Sequence, residues 1–285
     1  MGLFVTVGAG ITNMVLDLVF IAILGWGLVG AAMATVLSQV VGGVVPLLYF
    51  LLPNKSLLRV TRPALGLGVS LRTIGRVTVN GSSELMTNIS MSVVSMLYNY
   101  QLMRLAGEDG IAAYGVMMYV GFIFVAVFIG FAVGSAPIVG FHYGAGNHSE
   151  LKSLLRKSMV LTVLTGVGMA ALSVALATPL SRIFVGYDEG LYALTRRGFL
   201  LYSSSFLFAG FGILGSSFFT ALGNGVVSAA ISFLRTLLFQ VAAVLILPVL
   251  LDIDGVWLSV TAAEILATAV TFLFLFGMRR KYKYM

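Results

Sequence analysis

Runs of about twenty residues with almost no charge inside them recur along this chain, and they decide what it can fold into. A helix needs about 20 apolar residues to cross the roughly 30 Å hydrocarbon core of a bilayer. Only helices and closed barrels satisfy their backbone polar groups there. Eight windows qualify, at about 4–24, 28–52, 77–105, 112–140, 158–178, 197–221, 226–248 and 256–277. None shows the ten-residue alternation of barrel strands. The sequence therefore predicts an all-α polytopic membrane protein with about eight transmembrane helices. Composition agrees: of 285 residues, 59% are hydrophobic and 9% charged, against about 25% charged in a soluble domain.

The net charge of +7 is not a nucleic-acid signal, because the cations gather between spans. Twelve fall on one side by alternation: Lys55, Arg59, Arg62, Arg72 and Arg76, then Lys152, Arg156 and Lys157, then Arg279, Arg280, Lys281 and Lys283. The other side has Arg104, Arg182, Arg196 and Arg197, with six acids among them. The positive-inside rule places both termini in the cytoplasm of a multi-pass plasma-membrane protein. Residues 53–76 form a basic cytoplasmic linker containing Pro53, Pro63, Gly66 and Gly68, part of which suits the membrane surface. It divides the chain into residues 1–52 and residues 77–285.

An internal repeat crosses that linker. Gly30-Ala-Ala-Met-Ala-Thr-Val-Leu-Ser-Gln39 matches Gly255-Val-Trp-Leu-Ser-Val-Thr-Ala-Ala-Glu264 in position and character. Spans one and two thus correspond to spans seven and eight. Two spans precede the linker and six follow it, so equivalent halves would need about four more spans before residue 1. Repeats running in the same direction give a pseudo-twofold along the membrane normal, one of the symmetries of transporters.

Polar groups inside the spans are the candidate functional residues. At about 100° per residue, Asn80, Thr87, Asn88, Ser95 and Asn99 share a helix face with Glu84. A carboxylate at membrane depth costs on the order of 2.5–3.5 kcal/mol even on lenient scales, so it faces a cavity or a partner. Asp17 follows Asn13 and Thr6 on one face of span one, and Gln39 follows Thr35 on span two. Arg235, after Ser228 and Ser232, lies toward the cytoplasmic end of span seven, and Glu264 shares a face with Thr261, Thr268 and Thr271. Each has a structural alternative. Glu84 could fix helix packing, Arg235 could snorkel or cap loop carbonyls, and Asp17 could pair with a basic residue. Gly130-x-x-x-Gly134 and Gly140-x-x-x-Gly144 have the spacing of close helix packing.

Enzyme chemistry has no signature here. The chain has no cysteine, His142 and His148 make no metal spacing, and the phosphate-loop, nucleophile-elbow and His-Glu-x-x-His patterns do not occur. No cofactor or metal is expected beyond a coupling ion.

Several of these stretches together resemble one family. Asn80-Gly-Ser-Ser-Glu84, Asn99 and Gly110-Ile-Ala-Ala-Tyr-Gly115 resemble the seventh helix and following turn of multidrug and toxic compound extrusion (MATE) transporters. Ser135-Ala-Pro-Ile-Val-Gly-Phe-His-Tyr-Gly-Ala-Gly146 is similar to the family's eighth helix and its cytoplasmic signature. Asn13-Met-Val-Leu-Asp17 and Gly27 to Gln39 resemble its fifth and sixth helices, and Phe218 to Asn224, Arg235 and Gly255-Val-Trp257 complete the pattern. The bacterial multidrug-exporter branch is the most similar. The resemblance implies two six-helix lobes, of which this chain would hold the last two helices of the first and all of the second, without helices one to four. It further implies export of small cationic or amphipathic substrates in exchange for Na⁺ or H⁺. Glu84 matches a coupling acid on helix seven, with Asn80, Thr87, Asn88, Ser95, Asn99, Asp17, Asn13, Gln39, Arg235 and Glu264 around a substrate and ion cavity. A lipid-linked oligosaccharide flippase of related fold is the alternative, as is a truncated, non-transporting product that needs the missing helices.

Overall fold

The computed structural model describes residues 2–52 and 70–284; the side chains of Asn80, Ser82, Ser83, Glu84 and Met86 also lie outside the described residues. Two of those five, Asn80 and Glu84, belong to the polar face read from the sequence, and most of the basic linker falls in the undescribed 53–69. Helices and short turns make up the rest.

Two helical stretches are too long for one crossing. Leu71–Gly144 and Gln240–Tyr282 hold 74 and 43 residues, and 1.5 Å per residue makes them about 110 and 65 Å long. Each contains one non-helical residue with positive φ, Gly107 (62°, −146°) and Asp252 (49°, −133°). Divided there, the described residues form eight rods: α1 (Gly2–Ile23), α2 (Gly27–Leu51), α3 (71–106), α4 (108–144), α5 (His148–Val185), α6 (Glu189–Ala221), α7 (225–251) and α8 (253–282). Each apolar window read from the sequence coincides with one rod to within a residue or lies inside it. The rods run further because a helix does not stop where charge begins. The first turns of α5 carry Glu150, Lys152, Arg156 and Lys157, and the Asn147 side chain caps them by accepting from the Glu150 amide at 3.2 Å. Likewise α3 begins at Leu71, so Arg72 and Arg76 stand on its opening turns rather than in a linker.

The rods belong to two compact units, Met1–Leu71 and Arg72–Met285. In the first, α1 packs along α2. In the second, α6 touches α5, α7 and α8 and approaches α4, where a Cβ on Gly210 would lie 2.7 Å from the Phe128 ring.

The turns repeat. Gly27, Gly107 and Asp252 all have positive φ. Three residues after each stands a glycine, and a Cβ there would meet a carbonyl of the preceding rod: Phe20 at 3.0 Å from Gly30, Leu102 at 3.1 Å from Gly110 and Leu247 at 2.3 Å from Gly255. The repeat read at Gly30 and Gly255 therefore has a third copy at Gly110. The buried stripe Gly30, Ala34, Ser38 of α2 recurs on α8 as Gly255, Ser259, Ala263. The opposite turns form a second pair. Gly146-Asn147 and Gly223-Asn224 each put glycine at positive φ, with the Asn amide donating five residues back, to His142 and Phe219, at 2.9 Å.

Gly130, Gly134 and Gly144 do not pack as their spacing suggested. A Cβ on any of them meets nothing within 4 Å, and Gly140 finds the Ala221 carbonyl at 3.4 Å. The close approaches belong to glycines whose neighbours come from other parts of the chain, which spacing along one helix does not reveal.

Two predictions follow from the α7–α8 turn. Asp252 holds a backbone conformation that glycine adopts freely and other residues hold at about 1–3 kcal/mol. Asp252→Gly is expected to raise the thermal midpoint in detergent, a net gain of about 1 kcal/mol after the entropy of the freer unfolded chain. Gly255→Ala drives a Cβ into backbone, which cannot rotate away, and is expected to cost about 1–3 kcal/mol in the same assay.

Candidate functional site

The interior of the larger unit is layered. One apolar cluster gathers Tyr98, Leu102, Met117, Phe199, Phe206 and Trp257. A second gathers Leu151, Phe218, Phe219, Leu275, Tyr282 and Tyr284. Between these stretches of sequence, α6, α7 and α8 present polar side chains to one another.

At the centre of that layer is an ion pair. Arg235 donates to Glu264 through Nη2 at 2.7 Å and through Nε at 2.9 and 3.1 Å to the two carboxylate oxygens. The side chains are 15% and 3% exposed. Arg235 stands ten residues into α7, about 15 Å from its start at helical rise. It neither snorkels nor caps a loop, because a carboxylate is available at its own depth. Two local features admit the guanidinium. Arg235 belongs to a π-helical turn, Leu234–Phe239, a geometry common at functional sites. Facing it is Gly212, where a Cβ would lie 2.6 Å from Arg235 Cδ.

Hydroxyls continue the layer. Ser216 Oγ lies 2.9 Å from both Ser228 Oγ and Ser232 Oγ, and Thr220 Oγ1 lies 2.6 Å from Ser228 Oγ. Ser204 Oγ is 2.8 Å from Thr261 Oγ1, Ser203 Oγ is 2.7 Å from Ser173 Oγ, and Gln101 donates to the Val244 carbonyl at 3.1 Å. Ser228 and Ser232 attract notice in the sequence, whereas Gly212, Ser216, Thr220 and Gln101 do not. Their signal is nevertheless present. Gly212, Ser216 and Thr220 recur every four residues on α6, just before the turn into α7, where Ser228, Ser232 and Arg235 form the facing stripe.

Glu264 and Arg235 are thus brought together, and Thr261 and Thr268 turn to α6, Thr268 donating to the Phe208 carbonyl at 3.2 Å. The described residues of the α3 face lie outside this layer. Ser90, Val94, Tyr98, Gln101 and Leu102 form the buried side of α3, while Thr87 and Ser95 are half-buried and Asn88 and Asn99 exposed. That face stands at the border of the packed lobe. In the smaller unit, Thr6, Asn13, Thr35, Ser38 and Gln39 line a groove of about 520 Å³ between α1 and α2. Asp17 is half-buried and outside that lining. Among the described residues no cluster of three or more His, Asp or Glu could hold a metal ion.

Comparison with known proteins decides the family. A family model, MatE, matches residues 85–246, more than half of the chain. The chain belongs to the MatE family. A probable multidrug resistance protein of Bacillus subtilis (strain 168), YoeA, is 26% identical over 208 residues, which are 70% of this chain and 43% of that protein. Among solved structures, the outward-facing conformation of a multidrug resistance MATE family transporter of the MOP superfamily has a TM-score of 0.89 at 22% identity, covering 100% of this chain and 62% of the other. A MOP superfamily transporter from Pyrococcus furiosus, described as having a binding pocket of reverse polarity, has a TM-score of 0.87 at 22% identity, covering 97% and 62%. At these identities the structural likeness speaks to fold. The chain spans less than half of the Bacillus protein and somewhat under two thirds of the two transporter structures. MatE is a transporter family, not an enzyme family, and this member is a multi-pass membrane protein.

Proposed function

We propose that this chain supplies one complete lobe, residues 77–285, and two helices of the other, residues 1–52, to a secondary transporter that exports cationic or amphipathic compounds in exchange for Na⁺ or H⁺. The segment between α2 and α3 connects the lobes on the cytoplasmic side. Glu84 is the exchanging carboxylate of this lobe, binding an ion in one conformation and substrate in the other. A ligand shifts such an equilibrium only through different affinities for the two states, and mutual exclusion at one carboxylate supplies that difference.

The observation that carries this reading is the α3 face. Asn88 and Asn99 are exposed and Ser95 half-buried along a rod that must cross hydrocarbon, and polar groups at that depth are expected to line a pathway. The multidrug description of the Bacillus relative supports export. Against a flippase, which needs free cations for a pyrophosphate, stands the neutralisation of Arg235 by Glu264.

Gradient-driven ethidium efflux from proteoliposomes tests the reading. It is expected from a protein in which four further helices precede this chain and not from the 285-residue chain alone. Robust efflux by the shorter chain would contradict the two-lobe requirement. For orientation, single cysteines at Ser149 and Asp188 are expected to label from the cytoplasm and from outside respectively. Labelling of both from one side would overturn the topology.

A further inference from the structure

The larger unit holds a second polar cluster, toward the α5–α6 and α7–α8 turns. The buried stripe Ser173, Ala177, Ser181, Val185 of α5 meets the stripe Leu191, Thr195, Phe199, Ser203 of α6. Both step by four residues, the ridge spacing of packed helices. The two rods are antiparallel, and the Ser203 hydroxyl donates to Ser173 Oγ at 2.7 Å. Two ridge steps further, that register sets Ser181 opposite Thr195. Beside α6, α8 runs parallel to it, tied by the Arg197–Asp254 ion pair and by the Ser204 and Thr261 hydroxyls at 2.8 Å. Three residues after Thr195, a Cβ on Gly198 would lie 3.1 Å from Trp257 Cε2, the ring atom bonded to Nε1. Asp254 stands three residues before Trp257, at the level of Thr195.

Four buried polar atoms here have no hydrogen-bond partner among the described residues: Ser181 Oγ, Thr195 Oγ1, Trp257 Nε1 and Asp254 Oδ1. Ser181 and Thr195 are 0% exposed and Trp257 1%. Asp254 turns its other oxygen to Arg197. Buried polar groups are paired in most cases, because a bare one forfeits its hydration without return. The undescribed side chains between Asn80 and Met86 belong to the other end of the unit. Met86 precedes the Gly107 break of α3 by 21 residues, about 30 Å at helical rise, and residues 53–69 precede α3 altogether.

The chemistry of the four atoms selects the ligand. Trp257 Nε1 only donates and a carboxylate oxygen only accepts, while the two hydroxyls do either. A cation has no lone pair for the indole N–H, and an anion is repelled by Asp254. A water molecule accepts from the indole and from one hydroxyl, and donates to the carboxylate and to the other hydroxyl. We propose that Ser181, Thr195, Asp254 and Trp257 bind an ordered internal water that joins α5, α6 and α8 beside the α7–α8 turn. Three or four such partners are the ordinary coordination of a buried water.

Hydroxyl-radical footprinting of the full chain in detergent tests the site, because the chain's two tryptophans differ in the property at issue. Trp26 is 49% exposed and Trp257 1%. X-ray radiolysis makes radicals from water wherever it is bound, whereas peroxide photolysis makes them in the bulk. X-rays are expected to oxidise both tryptophans, and peroxide photolysis Trp26 alone. The double variant Ser181→Ala/Thr195→Val removes two partners and keeps the indole. It is expected to lose the X-ray oxidation of Trp257 and to keep that of Trp26. Ser181→Ala alone serves if the double variant does not fold, with a partial loss expected. Trp257 left intact by X-rays in the parent would overturn the site. Its oxidation by both sources would show access from the bulk in place of a held water, and overturn it too. Unchanged oxidation in the variants would overturn the assigned partners.

Discussion

Replacing Glu264 alone with alanine is expected to lower the thermal midpoint in detergent by roughly 10 °C. The variant leaves the Arg235 guanidinium uncompensated at a site 15% exposed. Breaking a buried pair by removing one partner costs about 3–5 kcal/mol, and a unit of this size moves by about 2–4 °C per kcal/mol. Arg235→Met alone strands the Glu264 carboxylate, 3% exposed, and is expected to cost as much. The combination Arg235→Met with Glu264→Leu removes both charges, and exchange of a whole buried pair for apolar side chains is often neutral or stabilising. The double variant should therefore recover most of the loss, which distinguishes a pairing role from simple intolerance of substitution. Gly212→Ala belongs to the same series. Its Cβ meets an arginine held by three hydrogen bonds, so a partial loss is expected, relieved when Arg235 is already methionine. Single variants that unfold with the parent would show that the pair is hydrated and worth little.

Membrane class, span positions and family were legible in the sequence because each depends on local composition or on short motifs. A span is a property of twenty consecutive residues, and the glycine of the Gly30 and Gly255 repeat stands at a fixed distance from its turn. Where polar residues meet across helices was not legible. Arg235 and Glu264 are 29 residues apart, on rods joined at Asp252, and hydropathy treats each as an isolated cost. Read alone, Arg235 suggested an escape toward the interface. Read with the Gly212, Ser216, Thr220 stripe of α6, it suggests a polar layer between three helices. The rod ends were underestimated for a related reason, since capping and the amphipathic turns after it, as at Asn147, carry a helix beyond its apolar window. The third copy of the turn motif escaped notice because Gly107-Glu-Asp-Gly110 shares with Asp252-Ile-Asp-Gly255 a backbone conformation more than a composition.

Glu84→Gln in the two-lobe protein is expected to abolish gradient-driven efflux while sparing expression and insertion. The substitution keeps size and hydrogen-bonding capacity and removes the charge that an ion and a cationic substrate would share. On the proposed reading, Thr87, Asn88, Ser95 and Asn99, on the same helical face, would offer oxygens to Na⁺ or hydrogen bonds to the protonated acid, so the amide should hold the fold. Asn88→Ala and Asn99→Ala, exposed at the border of the lobe, are expected to weaken transport by less, because on the proposed reading each would remove only a neutral ligand. Efflux by Glu84→Gln at the parent rate across the pH range would make the residue structural.

Exchange at a shared carboxylate is tested most directly by ion displacement in the purified two-lobe transporter. Addition of ethidium is expected to release about one proton or one Na⁺ per ethidium bound by the parent, as mutual exclusion at one carboxylate requires, and none from Glu84→Gln. Saturable ethidium binding that releases neither ion from the parent would contradict it.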